Sequence, residues 1–183
     1  MYPIFRLLKE VFVARRQPPL APFGEHHVSH HICWPWDIDM FMEMNNGRIL
    51  TVYDFGRFGA AQRIGLLKAI MREKWTLTMA GAVVRYRRRL TLFERFTVKS
   101  HAVCWDDRFV YLEQSMWKKN GECASHVVYR AAVLRNGKLV PTQEVADALG
   151  FDGPRPPVPD WIKAWSDAEA LRPWPPMQDA GVD

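Results

Sequence analysis

Residues 37–48 read DIDMFMEMNNGR. Two aspartates, three methionines, a glutamate and an Asn-Asn pair stand directly before a long apolar stretch. From Asn46 the pattern changes. Ile49, Val52, Tyr53, Gly56, Ala60, Ile64 and Leu67 recur at three- and four-residue steps, the signature of a helix face. Leu50, Phe55, Phe58 and Ala61 make the other sides apolar as well. A helix apolar almost all round is buried almost all round. Gly47, Gly56 and Gly59 weaken such a helix, a cost offset if it lies very close to a flat partner such as a sheet. The spacing predicts a buried helix from about Asn46 to Gly65, then a further turn or two through residues 66–75.

On either side of this helix the chain reads as strands. Upstream, EHHVSHHICWPW (25–36) is a strand ending at Pro35. Downstream, WTLTMAGAVVRYRRR, RFTVKSHAVCWD, RFVYLEQSMWKK and ASHVVYRAAVLR are long β-prone runs with turn signals between them. Asn136-Gly137 marks a further hairpin. The expectation is an α+β domain whose strands form an antiparallel meander wrapped around one long central helix. Thr142 is a candidate cap for a short helix stopped by Gly150. The chain of 183 residues divides into an N-terminal amphipathic segment and linker (1–24), one domain (25–150) and a proline-rich C-terminal extension (151–183).

A net charge of +5 is modest and points weakly to an anionic ligand or membrane surface, not to nucleic acid. Cys33, Cys104 and Cys123 are odd in number and form no CxxC pair, which favours a reducing, cytoplasmic setting over a disulfide framework. His26, His27, His30 and His31 lack acidic or cysteine partners at ligand spacing. They read as surface or interface histidines, and neither a metal nor a cofactor is expected. At the N-terminus, Ile4, Leu7, Leu8, Val11 and Phe12 follow helical spacing among Arg6, Lys9, Arg15 and Arg16. The first reading is a helix docked on its own domain or on a partner subunit, and the second is peripheral membrane contact.

The opening stretch carries the candidate chemistry. The first N–H groups of a helix lack internal partners and bear the positive end of its dipole. They can therefore hold an oxyanion. Asp39 lies seven residues ahead of Asn46, far enough to fold back beside that terminus. A carboxylate there serves as general base or nucleophile. The alternative is that Asp37 or Asp39 merely caps local N–H groups. Arg85, Arg87, Arg88 and Arg89 form the densest basic cluster. It reads either as a solvated strand end or as a phosphate-binding patch.

The run DMFMEMNNGRILTVYDFGR, Asp39 to Arg57, resembles the hotdog-fold thioesterases of the 4-hydroxybenzoyl-CoA thioesterase-like group. Their pattern is roughly Asp-x-x-Gly-His-Val-Asn-Asn-x-x-Tyr, followed by a helix with an acidic residue and an Ala-Arg. The resemblance covers about residues 25–140, and VVRYRRRLTLFERFTV is similar to a strand and turn of the same family. It implies a hotdog fold, with Asp39 as the catalytic aspartate and Asn46 as the oxyanion N–H donor. Asn45 falls on the Asn pair, Asp54 on the helix acid and Arg57 on the terminal arginine. Glu43 replaces the usual His, Met42 the Gly, Ile49 the Tyr and Arg89 the Pro, departures the fold is not expected to feel. Glu43 places a second carboxylate near Asp39.

The reading is an acyl-CoA thioesterase acting on acyl-CoA or another acyl thioester. Its candidate catalytic residues are Asp39 and Asn46, and its candidate substrate-binding residues are Glu43, Asn45, Arg57, Arg87 and Arg88. A homodimer or homotetramer is expected from the exposed sheet edge. A non-catalytic hotdog protein, binding acyl groups or serving in assembly, is the alternative.

Overall fold

A computed structural model of the chain describes residues 2–176. The last part of the expected C-terminal extension, residues 177–183, lies outside the described residues. Helix α1 (Ile4–Arg15) leads by a linker to strand β1 (His27–Ile32) and a 3-10 turn at Pro35–Asp37. Helices α2 (Asn46–Arg63) and α3 (Leu66–Glu73) follow. Then come β2 (Thr76–Tyr86), β3 (Arg95–Trp105), β4 (Val110–Lys118), β5 (Cys123–Arg135), the short β6 (Lys138–Leu139), α4 (Thr142–Ala148) and α5 (Asp160–Leu171).

The sheet is antiparallel with the order β1-β3-β4-β5-β2, and β6 pairs with β5. This corrects the expected meander. Only β3, β4 and β5 follow one another, while β2 crosses to pair with β5, Thr76 opposite Leu134 and Tyr86 opposite Ser125. The reason lies in the connection: β2 and β3 are joined by the Arg87–Glu94 segment instead of a two-residue turn, so neither is bound to the other's edge. At the β5–β6 hairpin, Asn136 and Gly137 both take positive φ, 51° and 76°, as the Asn-Gly signal requires.

The sheet curls around α2, the arrangement of the hotdog fold. Ile49, Val52, Tyr53 and Phe55 of the helix pack on Phe96, Val98, Met116 and Val127. Gly56 and Gly59 face the sheet. A Cβ at Gly56 would stand 2.6 Å from Ser100 Oγ and 3.0 Å from Val98 Cγ1, and one at Gly59 would run into the His27 ring. Glycine thus sets the distance between helix and sheet. α1 lies along the outer side of α2, which explains why α2 is apolar on both sides. Gly65 ends α2 with φ 81°.

His27 is fully buried, which corrects its reading as a surface or interface residue. The space left by Gly59 admits its ring, and Arg63 donates to Nδ1 at 3.3 Å while a Glu10 carboxylate oxygen lies 3.4 Å from Nε2. The other face of the sheet is partly covered by α5, whose Ile162 is buried with Cys104, Tyr111 and Val128. Thr142 begins α4 but does not cap it; its hydroxyl donates to the Asp106 carbonyl instead. Among the described residues, no helix is long and apolar enough to cross a membrane.

Candidate active site

Residues 38–44 fold back on themselves. Ile38 bridges Met44, the Asp39 N–H donates to the Glu43 carbonyl at 2.9 Å, and the Asn45 N–H donates to the Asp37 carbonyl at 2.9 Å. This small hairpin exposes Met40, Phe41 and Met42 at its tip and sets Asp39 across from Glu43. Met42 takes φ 60°, a left-handed conformation that suits glycine. The family pattern has glycine at this position, so the fold does feel that departure.

Asp37 and Asp39 have different surroundings. Asp37 is buried. Arg6 Nη1 reaches both its oxygens at 3.0 and 2.7 Å, Arg48 Nε lies 3.1 Å from Oδ1, and the Trp34 N–H donates to Oδ2 at 3.0 Å. It ties α1, the 3-10 turn and the first turn of α2 together. Asp39 is half-buried, and one of its oxygens accepts the Phe41 N–H at 2.9 Å. Among the described residues no cation is paired with it.

α2 begins at Asn46. Asn45 is its N-cap, its Oδ1 accepting the N–H groups of Gly47 and Arg48 at 2.9 and 3.3 Å. This bonding commits Oδ1 to the cap and leaves the Nδ2 donors for a substrate contact by Asn45. The Asn46 N–H, one residue earlier, has no hydrogen-bond partner among the described residues. Asn46 lines a groove together with Glu43, Ile49 and Arg87 to Arg89.

The groove therefore gathers Asn46, Glu43, Arg87 and Arg88 but not Asp39, Asn45 or Arg57 in its lining. Glu43 pairs with Arg89 at 2.8 Å, so a guanidinium meets the second carboxylate near Asp39. Arg88 pairs with Glu122 at 2.9 Å, whereas Arg87 makes no ion pair among the described residues. Arg57 stands eleven residues along α2, about 16 Å away. It pairs with Asp54, donates to Gln114 at 3.2 Å and stacks on Tyr129. Asp54 and Arg57 line a second, largely apolar cavity of about 280 Å³, with Leu67, Leu77, Met79 and Leu112.

Sequence reasoning missed the partners of Asp37 and the buried polar group under α2. There Gln114 donates to Ser100 Oγ at 2.7 Å and to the Tyr53 carbonyl at 2.8 Å, and Tyr53 OH meets Ser125 Oγ at 2.8 Å. On the outer face Glu113 accepts from His101 and His126, each at 2.7 Å, and these two bonds hold its carboxyl well below the ordinary range. A polar residue alternating with apolar ones in a strand was the available signal. The partners lie on other strands, where local spacing carries no information.

A curled antiparallel sheet around one helix, with a groove at that helix's N-terminus, defines the hotdog class. The chain belongs to the thioesterase-like superfamily, whose family model matches residues 33–166. It is 39% identical over 104 residues to protein THEM6 of Xenopus laevis, a match covering 57% of this chain and 50% of that one, so the chain spans about half the length of that relative. In fold it is similar to the probable thioesterase YbaW of Escherichia coli, with a TM-score of 0.64 at 15% identity, covering 68% of this chain and 97% of that one. It is similar also to the hypothetical protein SAV2348 of Staphylococcus aureus, solved in complex with CoA, with a TM-score of 0.57 at 15% identity over 78% of this chain and 95% of that one.

Proposed function

We propose that the chain hydrolyses acyl-CoA thioesters at the N-terminus of α2, in a site that a second copy of the chain completes. The observation that carries this reading is that Asn46, whose N–H has no partner among the described residues, lines a groove with Arg87, which makes no ion pair among them. A thioester carbonyl oxygen accepts that N–H, which stabilises the oxyanion as the carbon becomes tetrahedral. Asp39, outside that lining but bonded through its N–H to Glu43 at the groove's edge, takes a proton from water as the water oxygen bonds to the carbonyl carbon. The C–S bond then breaks, and the thiolate leaves with the proton. Direct attack by the Asp39 carboxylate, with water releasing the acyl group afterwards, is the other form of the same chemistry. Arg87 and Arg88 suit the phosphates of coenzyme A, and the CoA complex of the SAV2348 neighbour supports that choice of carrier.

The apolar cavity near Arg57 begins about eight residues along α2 from Asn46, roughly 12 Å. An acyl chain reaching it is long and apolar, so medium or long acyl groups are favoured over acetyl. Strand β2 supports the second copy. It is an eleven-residue edge strand whose Leu77, Met79, Val83 and Tyr86 are all exposed, and such an edge invites pairing with another chain.

The non-catalytic reading draws on one observation: Glu43 and Arg89 join across the groove while the Asp39 carboxylate bonds back to its own loop. Incubation with acyl-CoAs of graded length, reading free thiol with a thiol reagent, separates the two. Turnover rising with chain length is expected. No turnover across the panel would transfer the conclusion to an acyl-binding or assembly module.

A further inference from the structure

α1 presents more large apolar side chains to the outside than to the domain. It turns Arg6 and Glu10 toward the domain, where they meet Asp37 and His27. Phe5, Leu8 and Phe12 point away from it, 88%, 58% and 54% exposed. At 100° per residue these three fall within an arc of about 60°, with Ile4 and Val13, also exposed, at its flanks. A helix docked only for stability buries its apolar stripe and leaves its charges to water. Here the inner face joins Leu7 and Ala14 to the polar contacts of Arg6 and Glu10, and the face of Phe5, Leu8 and Phe12 is left without a partner among the described residues.

The surroundings of that face are basic. Arg15 and Arg16 lie at the C-terminal end of the helix, with Arg16 stacked on Phe12. Beside the helix runs a cleft of about 630 Å³ between α1 and the end of the β1–β3 pair. Lys9, Arg95 and Lys119 line it, and none makes an ion pair among the described residues. Glu10, also in the lining, faces His27. Trp34 lines the cleft too and stacks on the exposed Trp36 at 5.4 Å. Exposed apolar side chains, unpaired cations and a tryptophan pair together match a lipid–water boundary.

We infer that α1 lies in the plane of an anionic phospholipid surface, its Phe5, Leu8 and Phe12 inserted between the acyl chains. Lys9, Arg95 and Lys119 meet the phosphates. The charge complementarity chooses this occupant over a second copy of the chain, because a partner copy would bring the same cations to the same cleft.

Co-sedimentation of the full chain with vesicles tests this, using phosphatidylglycerol mixed with phosphatidylcholine against phosphatidylcholine alone. The chain is expected to pellet with the anionic vesicles and to be released by salt. The triple variant Phe5→Ser, Leu8→Ser, Phe12→Ser should bind at least about tenfold more weakly. Lys9→Glu, Arg95→Glu, Lys119→Glu should lose about tenfold or more toward the anionic vesicles. Circular dichroism establishes that each variant is folded; should the serine triple unfold, Phe5→Ser alone carries the test, because that side chain is almost wholly exposed. Wild-type protein that stays in the supernatant with both vesicle types overturns the inference. So does a folded serine variant that binds as tightly as wild type. A serine variant that instead drops in oligomer size, with no vesicle binding by wild type, gives the face to a second copy.

Discussion

The Asp37 carboxylate sits without solvent between Arg6, Arg48 and the Trp34 N–H. Removing its charge leaves two guanidinium groups facing a neutral amide, and breaking a buried pair in this way costs about 3–5 kcal/mol. Asp37→Asn should therefore show itself in a denaturant midpoint. Met42 offers the opposite change. A left-handed φ costs a non-glycine residue about 1–2 kcal/mol, and glycine's extra unfolded-state entropy returns about 0.5–1 of that. Met42→Gly should stabilise the chain by somewhat under 1 kcal/mol in chemical denaturation. His31 carries a pH dependence. Burial, foremost, lowers its pKa to about 4. The unfolded chain then binds the proton more readily, so stability falls as pH drops from about 6.5 toward 4 and levels off below. The loss is at most about 3 kcal/mol. His31→Gln should flatten that part of a midpoint-against-pH curve, and an unchanged slope would remove His31 from the account. Below the ordinary carboxylate range Glu113 adds a second loss, because its depressed pKa contributes stability only while it is ionised.

At the scale of the element, α2 shows what the sequence made legible. Its apolar ring, its glycines and its Asn-Asn start were readable because all are local and periodic. Its start at Asn46 and both sheet-facing glycines stand where the spacing put them, while its cap, Asn45, was not legible in it. Gly56→Ala and Gly59→Ala should each lower stability by about 1–3 kcal/mol; a neutral result for both would mean the helix is not held at glycine distance. Two elements were not legible in this way. The orientation of α1 depends on Asp37 and His27, residues far along the chain, and its apolar spacing alone would have turned Leu8 and Phe12 inward. The place of β2 depends on pairing with a strand some fifty residues later, and short turns between neighbours suggest the wrong partner. Arg57, which the motif spacing put in the site, stands about 16 Å along the helix from Asn46 and lines the apolar cavity instead of the groove.

For the whole molecule, the long exposed β2 edge points to a second copy of the chain. Light scattering should give at least twice the 21.3 kDa of one chain, and Val83→Lys at the exposed edge should shift the population toward monomer with a loss of turnover. A fully active monomer would set aside the shared site. The most direct measurement of the central claim is acyl-CoA hydrolysis by Asp39→Asn. The change keeps the side chain's size and its bond to the Phe41 N–H but removes the base. The variant, shown to be folded, should lose about 10²-fold or more in kcat/KM, while Asp37→Asn, assayed under conditions where it is folded, loses much less. Folded Asp39→Asn with wild-type turnover would contradict the account.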